Sequence, residues 1–244
     1  MSRADWYTRW FGDQYLQLYP HRDAEEARRA VSLVLAHVEL SHSDLLLDLA
    51  CGAGRHLAEL QLRGCTAFGL DLSMPLIRRG RAAGLAVVRG DMRFVPFATG
   101  SFELVTSFFT SFGYFEDAQD DVATLREVRR VLRMEGWFAL DYLNAQRVRD
   151  SVMHERDTAA ARGQPAMERR ALVEGERYVE KTIKIPQSDG SFQLFHERVR
   201  LYGSDELLSL LEAQKLSAVH TFGDYDGTPA TPGSPRFIVL ARAS

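Results

Sequence analysis

The feature that most constrains this chain is a short apolar run followed at once by two glycines. The run LLLDLA, residues 45–50, is almost wholly apolar, as in a strand buried on both faces by helices. Gly52 and Gly54 follow it, and a helical stretch begins at Arg55. Glycines let the backbone approach a ligand closely, and the helix start offers partial positive charge. The junction therefore predicts a ligand site at the end of a buried strand.

The same order of strand and helix repeats along the chain. Further strands are predicted at 66–72, 85–88, 102–109 and 137–143, and helices at 23–39, 55–63, 75–83 and 120–134. Because strands and helices alternate, the pattern predicts a doubly wound sheet of parallel strands. After Asn144 the character changes: strand-like segments separated by short turns predict an antiparallel meander, then a helix capped by Ser204 and two last strands.

Two acidic residues downstream of the glycine turn make the ligand prediction more specific. Asp71 ends the second predicted strand, 19 residues after Gly52, where an acid can accept hydrogen bonds from both hydroxyls of a ribose. Asp91 follows the third strand, where it can accept a proton from an exocyclic amine, and Met92 offers an apolar flank for a ring. Together they indicate an adenosine site. A nicotinamide-binding turn would have a third glycine at Leu57, so a dehydrogenase is the weaker interpretation.

Four motifs in order resemble a known family. The segments DLACGAG, GLDLS, GDMRFVPF and REVRRVLRMEGWFALDYLN closely resemble the class I S-adenosylmethionine-dependent methyltransferases, over roughly residues 20–144. The resemblance implies S-adenosyl-L-methionine as cofactor and S-adenosyl-L-homocysteine as product. Ala50 stands where the family usually has its first glycine. Residues implied to contact the cofactor are Arg22, Asp48, Ala50, Cys51, Gly52, Gly54, His56, Asp71, Leu72, Asp91, Met92 and Phe108.

The resemblance also divides those residues by role. The turn would hold the methionine end, Asp71 the ribose and Leu72 the adenine, while Phe108 would lie near the sulfonium. The arm YPHRDAEEARRAV resembles the entry helix of small-molecule members, including glycine and sugar-amine N-methyltransferases, in which an arginine pairs with the cofactor's carboxylate. Arg22 matches that arginine best; otherwise it is solvated surface.

The expected fold is a single α/β domain over residues 1–244. It has a Rossmann-like, doubly wound, seven-stranded mixed sheet with the last strand antiparallel, and a small antiparallel meander. The predicted divisions are an aromatic amino-terminal arm and helix (1–40), a cofactor-binding core (41–144), the inserted meander (165–203), and a final helix and strands (204–244).

The amino terminus carries a dense set of aromatic residues. Two interpretations stand equally: a lid that closes over cofactor and acceptor, or a helix packed permanently on the core. Aromatic faces can also hold a cationic sulfonium or a protonated amine. The candidate substrate-binding residues are Tyr7, Phe11, Tyr15, Tyr19, Phe112 and Tyr114.

No catalytic residue can be assigned from the sequence, because methyl transfer gains mainly from positioning and from a dry pocket. A hydroxyl acceptor would benefit from a base within hydrogen-bond reach. The candidates are His196 on the third meander strand and Tyr114 after the fourth strand, with Glu116 and Asp117 nearby. His56 is expected to contact cofactor or backbone instead of substrate.

Composition narrows the possible partners. The formal charge is −3, from 30 Lys and Arg against 33 Asp and Glu, which argues against nucleic acid as a partner. Only Cys51 and Cys65 are present, and no His and acid spacing fits a metal, so no metal is predicted. No segment has the length of apolar sequence that a membrane span needs, so a cytoplasmic monomer or homodimer is expected.

The predicted function is transfer of a methyl group from S-adenosylmethionine to a small-molecule acceptor, at nitrogen or oxygen, by in-line displacement. One alternative is an RNA or protein methyltransferase. Another, of a different class, is a catalytically silent protein that binds the adenosyl cofactor.

Overall fold

The computed structural model describes residues 6–19, 24–154 and 167–244. Its helices are α1 (Tyr7–Trp10), α2 (Asp13–Leu18), α3 (Ala24–Leu35), α4 (Arg55–Leu62), α5 (Met74–Ala82), α6 (Ala118–Val131), α7 (Ala145–His154) and α8 (Ser204–Ala213). Its strands are β1 (Leu45–Leu49), β2 (Thr66–Asp71), β3 (Val87–Arg89), β4 (Phe102–Ser107), β5 (Leu132–Leu143), β6 (Met167–Val173), β7 (Tyr178–Pro186), β8 (Phe192–Arg200), β9 (Leu216–Phe222) and β10 (Arg236–Ala243).

The central sheet has seven strands in the order β3-β2-β1-β4-β5-β10-β9. Strands β1 to β5 pair in parallel, whereas β10 runs antiparallel to both β5 and β9. The predicted fold class is confirmed, including the reversed last strand. The order changes direction between β1 and β4, and such a switch point opens a crevice at the carboxyl ends of the strands.

Helices cover both faces of this sheet because its central strands are apolar on both sides. Leu46 of β1 packs with residues of α3, α4 and α5, including Val31 and Leu57, on one face. Leu47 packs on the other face with residues of α6 and α8, such as Leu125. The crevice is therefore the open end of a sheet that is buried on both faces.

A second sheet, in the order β6-β7-β8, is antiparallel throughout and forms the predicted meander. Its inner face packs against residues 6–19, called the arm below. Trp6, Trp10 and Tyr19 of the arm are buried with Ile183 and Ile185 of β7. The arm and the meander thus share a hydrophobic cluster that is separate from the two clusters of the main sheet.

Local differences from the sequence predictions have physical causes. Helix α6 ends at Val131 and β5 begins at Leu132, earlier than predicted, because Leu132 already takes an extended backbone conformation (φ −72°, ψ 141°). Helix α7 was not predicted. Gly203, and not Ser204, is the amino-terminal cap residue of α8. No helix within the described residues is long and apolar enough to cross a membrane.

Candidate active site

A cavity of about 350 Å³ opens at the carboxyl ends of β1 to β4. The glycine turn after β1, the ends of β2 and β3, and the segment after β4 line it, and the arm lines it from another side. The predicted residues that line it are Ala50, Cys51, Gly52, His56, Asp71, Leu72, Asp91, Met92 and Phe108, together with Tyr7, Phe11, Tyr15, Tyr19 and Tyr114. The structure thus brings most of the predicted site together.

The turn after β1 is built from left-handed backbone. Ala50 and Gly52 have φ of 57° and 60°, and Gly54 has φ of 88° as the cap residue of α4. Gly54 does not line the cavity, and its contact with the cofactor stays a prediction. The φ of Gly54 favours glycine, and a Cβ added there would lie 2.3 Å from Cδ1 of Leu85, so that side chain would have to move.

Asp71 connects the turn to the next loop. Its Oδ2 accepts a hydrogen bond from the Gly52 N–H at 2.7 Å, and its Oδ1 accepts one from the Ser73 N–H at 2.7 Å. Burial raises the pKa of this carboxyl, against the opposing effect of the backbone N–H groups. Each carboxylate oxygen can accept a second hydrogen bond. Asp71 is therefore able to hold the turn and to accept from a ligand in the cavity.

Asp91 is engaged chiefly by Arg93. Its Oδ1 accepts from the backbone N–H and from Nε of Arg93, and its Oδ2 accepts from the guanidinium at 2.7 Å. Burial acts to raise the pKa of Asp91, but these hydrogen bonds outweigh it and lower the pKa below its usual value. Oδ2 keeps capacity for one more donor, so an amine could still be bound there.

Asp48 lies in the sheet beneath the turn and does not line the cavity. It is 1% exposed, and its Oδ1 accepts a hydrogen bond from the Thr106 hydroxyl at 3.0 Å, while Oδ2 has no partner. Burial raises the pKa of Asp48 to about 7. Asp48 points into the packing of the sheet and not toward its open end, and its contact with the cofactor stays a prediction.

His56 and Phe108 form a stacked pair at one wall of the cavity. Their ring centroids are 4.4 Å apart with 25° between the planes. His56 is buried, and burial lowers its pKa well below the usual value, aided by the charges of Arg55 and Arg236. The imidazole is therefore neutral at physiological pH.

The arm is held over the cavity by bonds to both neighbouring parts. The Ser73 hydroxyl donates to the backbone carbonyl of Phe11 at 2.5 Å, next to Asp71. On the meander side, Nε1 of Trp10 donates to Glu197 at 2.6 Å and the Tyr19 hydroxyl donates to Glu168 at 3.0 Å. The arm is docked in this structure, and its aromatic side chains form part of the cavity wall.

Several predicted residues lie elsewhere. Phe112 is 2% exposed and packs in the main core against Tyr142 and Tyr202 rather than in the cavity. His196 is exposed on the outer face of β8, since alternate residues of a strand face opposite sides and Phe195 takes the inner face. His196 does not reach the cavity. Arg22 lies outside the described residues.

Of the two remaining acidic candidates, Asp117 caps α6 by accepting from the Gln119 N–H, and the Glu116 carbonyl accepts from Arg200. Neither residue lines the cavity. Tyr114 does, stacked on Phe11 with centroids 5.8 Å apart.

Sequence reasoning missed part of the lining, including Arg55, Ser73, Phe109, Ser111 and Phe115. Ser73 follows Asp71 by two residues and is the amino-terminal cap of α5, a position that cap preferences could have indicated. The run FFTSFGYF after β4 offered no spacing that separates cavity residues from core residues.

Comparison with known proteins agrees with this geometry. A family model described as a methyltransferase domain matches residues 46–136. The demethylmenaquinone methyltransferase of Mycolicibacterium vanbaalenii is 38% identical over 99 residues, 41% of this chain and 42% of that protein. The chain therefore matches well under two thirds of the length of the first curated relatives.

Solved structures resemble nearly the whole chain. A S-adenosylmethionine-dependent methyltransferase of Clostridium acetobutylicum aligns with 95% of this chain and 98% of its own, with TM-score 0.78 and 17% identity. The sugar N-methyltransferase KedS8 of a Streptoalloteichus species aligns with 95% of this chain and 93% of its own, with TM-score 0.67 and 20% identity. At these identities the likeness shows the fold.

Motifs, domain match and fold agree: residues 46–136 match a methyltransferase domain, and nearly the whole chain has the fold of a S-adenosylmethionine-dependent methyltransferase. The family predicted from the sequence is confirmed, and with it S-adenosyl-L-methionine as the cofactor of that family.

Proposed function

We propose that this chain binds S-adenosylmethionine in the cavity after β1 to β4 and transfers its methyl group to a small-molecule acceptor at nitrogen or oxygen. One observation carries the proposal: the aromatic side chains of the arm line the same cavity as the glycine turn and Asp71. A cavity that is covered by the arm of the same chain suits a small acceptor better than a polymer.

The cavity fits the cofactor in size and chemistry. Its volume of about 350 Å³ falls within the range of roughly 300–1,000 Å³ usual for small-ligand pockets. Small residues of the turn would accommodate the methionine end, Asp71 would accept from the ribose hydroxyls, and Asp91 from the adenine amine. Leu72 and Met92 would flank the adenine ring.

S-adenosylmethionine, when bound, supplies a methyl group on a positively charged sulfur. The protein's own part is to orient the acceptor and to exclude water. The arm, Phe108 and Tyr114 would form the wall of the cavity that excludes water, and the faces of their aromatic rings suit a cationic group. The Tyr114 hydroxyl is the candidate to hydrogen-bond the acceptor, since His196 lies on the outer face of the meander.

The named relatives are compatible with a small acceptor. One is named for demethylmenaquinone and another for a sugar nitrogen. The net charge of −3 also favours a small acceptor over RNA. The acceptor of this chain is to be found by assay.

Calorimetry with S-adenosylmethionine and S-adenosylhomocysteine tests the binding half of the proposal. The variant Asp71→Asn should weaken binding by about 100-fold, because a carboxylate that bonds two backbone N–H groups and the ligand is lost. Asp226→Asn is the matched control, an exposed carboxylate in the last loop that bonds Thr228. No binding by the wild type, or equal binding by Asp71→Asn, would contradict the proposal.

Transfer of a radiolabelled methyl group tests the catalytic half. The wild-type protein is incubated with pools of amines, phenols and amino sugars, and in parallel with RNA and with protein. Label in a small molecule supports the proposal. Label only in RNA or protein supports the polymer alternative, and cofactor binding without transfer to any pool supports a silent binding protein.

A further inference from the structure

Strained backbone follows β4 where that strand meets the cavity. Phe109 and Thr110 both have left-handed conformations, with φ of 60° and 58°. For residues other than glycine this costs roughly 1–2 kcal/mol each. Such backbone persists only where the surroundings hold it, and it concentrates at functional sites. Phe109 lines the cavity, so the strain lies in its wall.

One buried residue of β5 holds both strained residues. Asp141 of β5 is 1% exposed, and its Oδ2 accepts the Phe109 N–H at 2.8 Å. The backbone carbonyl of the same residue accepts the Thr110 N–H at 2.9 Å. Asp141 itself does not line the cavity. Its contact with the site runs through the backbone of its neighbours.

Two further side chains hold this carboxylate in place. The Tyr225 hydroxyl donates to Oδ2 at 2.6 Å, and Nε of Arg236 donates to Oδ1. Burial and the charge of Asp141 raise the pKa of Tyr225, so its hydroxyl stays a donor. Arg236 also donates to the Thr110 hydroxyl at 3.1 Å. Asp141 and Arg236 therefore hydrogen-bond both residues of the turn, Phe109 and Thr110.

The Phe109 ring is fixed as well as its backbone. The guanidinium carbons of Arg55 and Arg236 lie 4.9 and 5.1 Å from its centroid, within cation–π distance. Arg55 is in turn paired with Glu26 of α3 at 2.8 Å. The preceding ring, Phe108, is stacked on His56. Two adjacent aromatic rings of the wall are thus held in single orientations.

We propose that Asp141 is a positioning residue for the methyl-transfer site: with Tyr225 and Arg236 it locks the left-handed Phe109–Thr110 turn, so that Phe108 and Phe109 present a rigid wall to the bound ligands. The role of the wall toward bound ligands rests on the proposed function. The lock itself is a property of the free protein, and it is tested there first.

Amide hydrogen exchange of the ligand-free protein is measured at Phe109 and Thr110 in the wild type and in Asp141→Asn. In the variant a single amide oxygen replaces two carboxylate oxygens that accept from Phe109, Tyr225 and Arg236. Exchange at the Phe109 amide should accelerate about 10- to 100-fold, the effect of losing a hydrogen bond to a charged group, and exchange at Thr110 should accelerate less, because the Asp141 carbonyl that accepts its N–H remains. S-adenosylhomocysteine affinity should fall about tenfold.

Asp121→Asn is the matched control. Asp121 is fully buried, accepts from the Tyr202 hydroxyl at 2.7 Å and lies 3.5 Å from Nε of Arg200, but it does not contact Phe109 or Thr110. It should leave exchange at the two amides unchanged and S-adenosylhomocysteine affinity within about twofold. If Asp141→Asn does not fold, Tyr225→Phe keeps the carboxylate and should accelerate exchange about threefold.

The outcomes separate this inference from the proposed function. Unchanged exchange in Asp141→Asn, or in Tyr225→Phe where that variant is used, overturns the lock. Faster exchange with unaltered S-adenosylhomocysteine affinity overturns the positioning role and leaves the proposed function standing. Faster exchange in a protein whose wild type binds no S-adenosylhomocysteine overturns the proposed function and leaves the lock.

Discussion

The seven-stranded sheet and the arm with its meander are held together in different ways. In the cofactor half of the sheet, the contact between the glycine turn and the end of β2 connects residues close in sequence, Gly52 and Asp71, over 19 positions. Between arm and meander they connect distant ones: Trp10 bonds Glu197, 187 positions away. The sheet also relies on apolar packing, whereas the arm combines aromatic packing with side-chain hydrogen bonds. The glycine turn is thus held by local contacts, and the arm by contacts between distant parts of the chain.

From these two kinds of contact we expect substitutions in the sheet to lower the stability of the whole fold, and substitutions in the arm to weaken only its docking. Regions with fewer and more solvent-accessible contacts open with less free energy than a core does. Four experiments test this contrast, in order of decreasing expected effect.

The largest expected effect is the titration of Asp48 in the sheet. Its pKa is about 7 when folded and about 3.8 when unfolded, so the folded state binds the proton more tightly. Its contribution to stability is therefore unfavourable above the unfolded pKa, growing as pH rises from about 4 to 7. Asp48→Asn should gain about 4 kcal/mol in unfolding free energy, relative to wild type, between pH 4 and 8.

Denaturant unfolding across that pH range measures the effect. Asp189→Asn in the exposed meander turn is the comparison, because hydrogen bonds from Ser191 lower the pKa of Asp189. Its wild-type contribution is present above pH 4 and is lost on acidification, so the sign is opposite. If the difference in unfolding free energy between wild type and Asp48→Asn does not change with pH, burial does not raise the pKa of Asp48.

The next effect concerns the arm. Trp10→Ala should cost about 3 kcal/mol of arm docking, because a buried tryptophan and its bond to Glu197 are lost. The unfolding midpoint of the main sheet should change little, while protease cleavage within residues 6–19 should accelerate. Leu47→Ala, fully buried in the main core, is the control and should lower the midpoint itself. Equal midpoint losses in both variants would show one cooperative unit.

A smaller effect is expected from a single methyl group in the glycine turn. Gly54 and Gly64 both have positive φ, but a Cβ at Gly54 would meet Leu85 whereas one at Gly64 would meet nothing within 4 Å. Gly54→Ala should therefore destabilise the fold by about 1 kcal/mol more than Gly64→Ala, the difference being the displacement of the Leu85 side chain. Denaturant unfolding of the two variants measures it, and equal losses would leave only backbone strain.

The smallest effect is expected where only charge is removed from the arm contact. Glu197→Gln keeps an oxygen that can accept from Nε1 of Trp10, so docking should weaken by less than about 1 kcal/mol. Protease cleavage rates within the arm measure it against Trp10→Ala. A loss as large as that of Trp10→Ala would mean that charge, and not aromatic packing, holds the arm.

The sequence predicted much of the cofactor region because each signal there is local. Apolar runs, glycines and acids at strand ends placed Asp71, Asp91 and Gly52 in one cavity, as found. Asp48 and Gly54 were predicted with them but do not line the cavity, because the motif shows which residues are near the turn and not which side chains face the opening.

The acceptor side was predicted less well. Phe112 and Phe109 lie in one aromatic run, yet one is core and the other is cavity wall. The left-handed turn at Phe109 separates them, and it depends on Asp141, Tyr225 and Arg236 from later parts of the chain. His196 was placed on the meander correctly, but strand alternation turned it outward.

The amino-acid sequence by itself predicted the alternating fold, because hydrophobic periodicity and a glycine turn act over a few residues, and its four motifs carried the resemblance that implies the family and the cofactor. Only the tertiary structure decided which aromatic residues of the arm line the cavity, and that Asp141 holds the wall after β4. Those contacts join residues far apart in sequence, and their geometry follows from how whole elements pack and not from any local pattern.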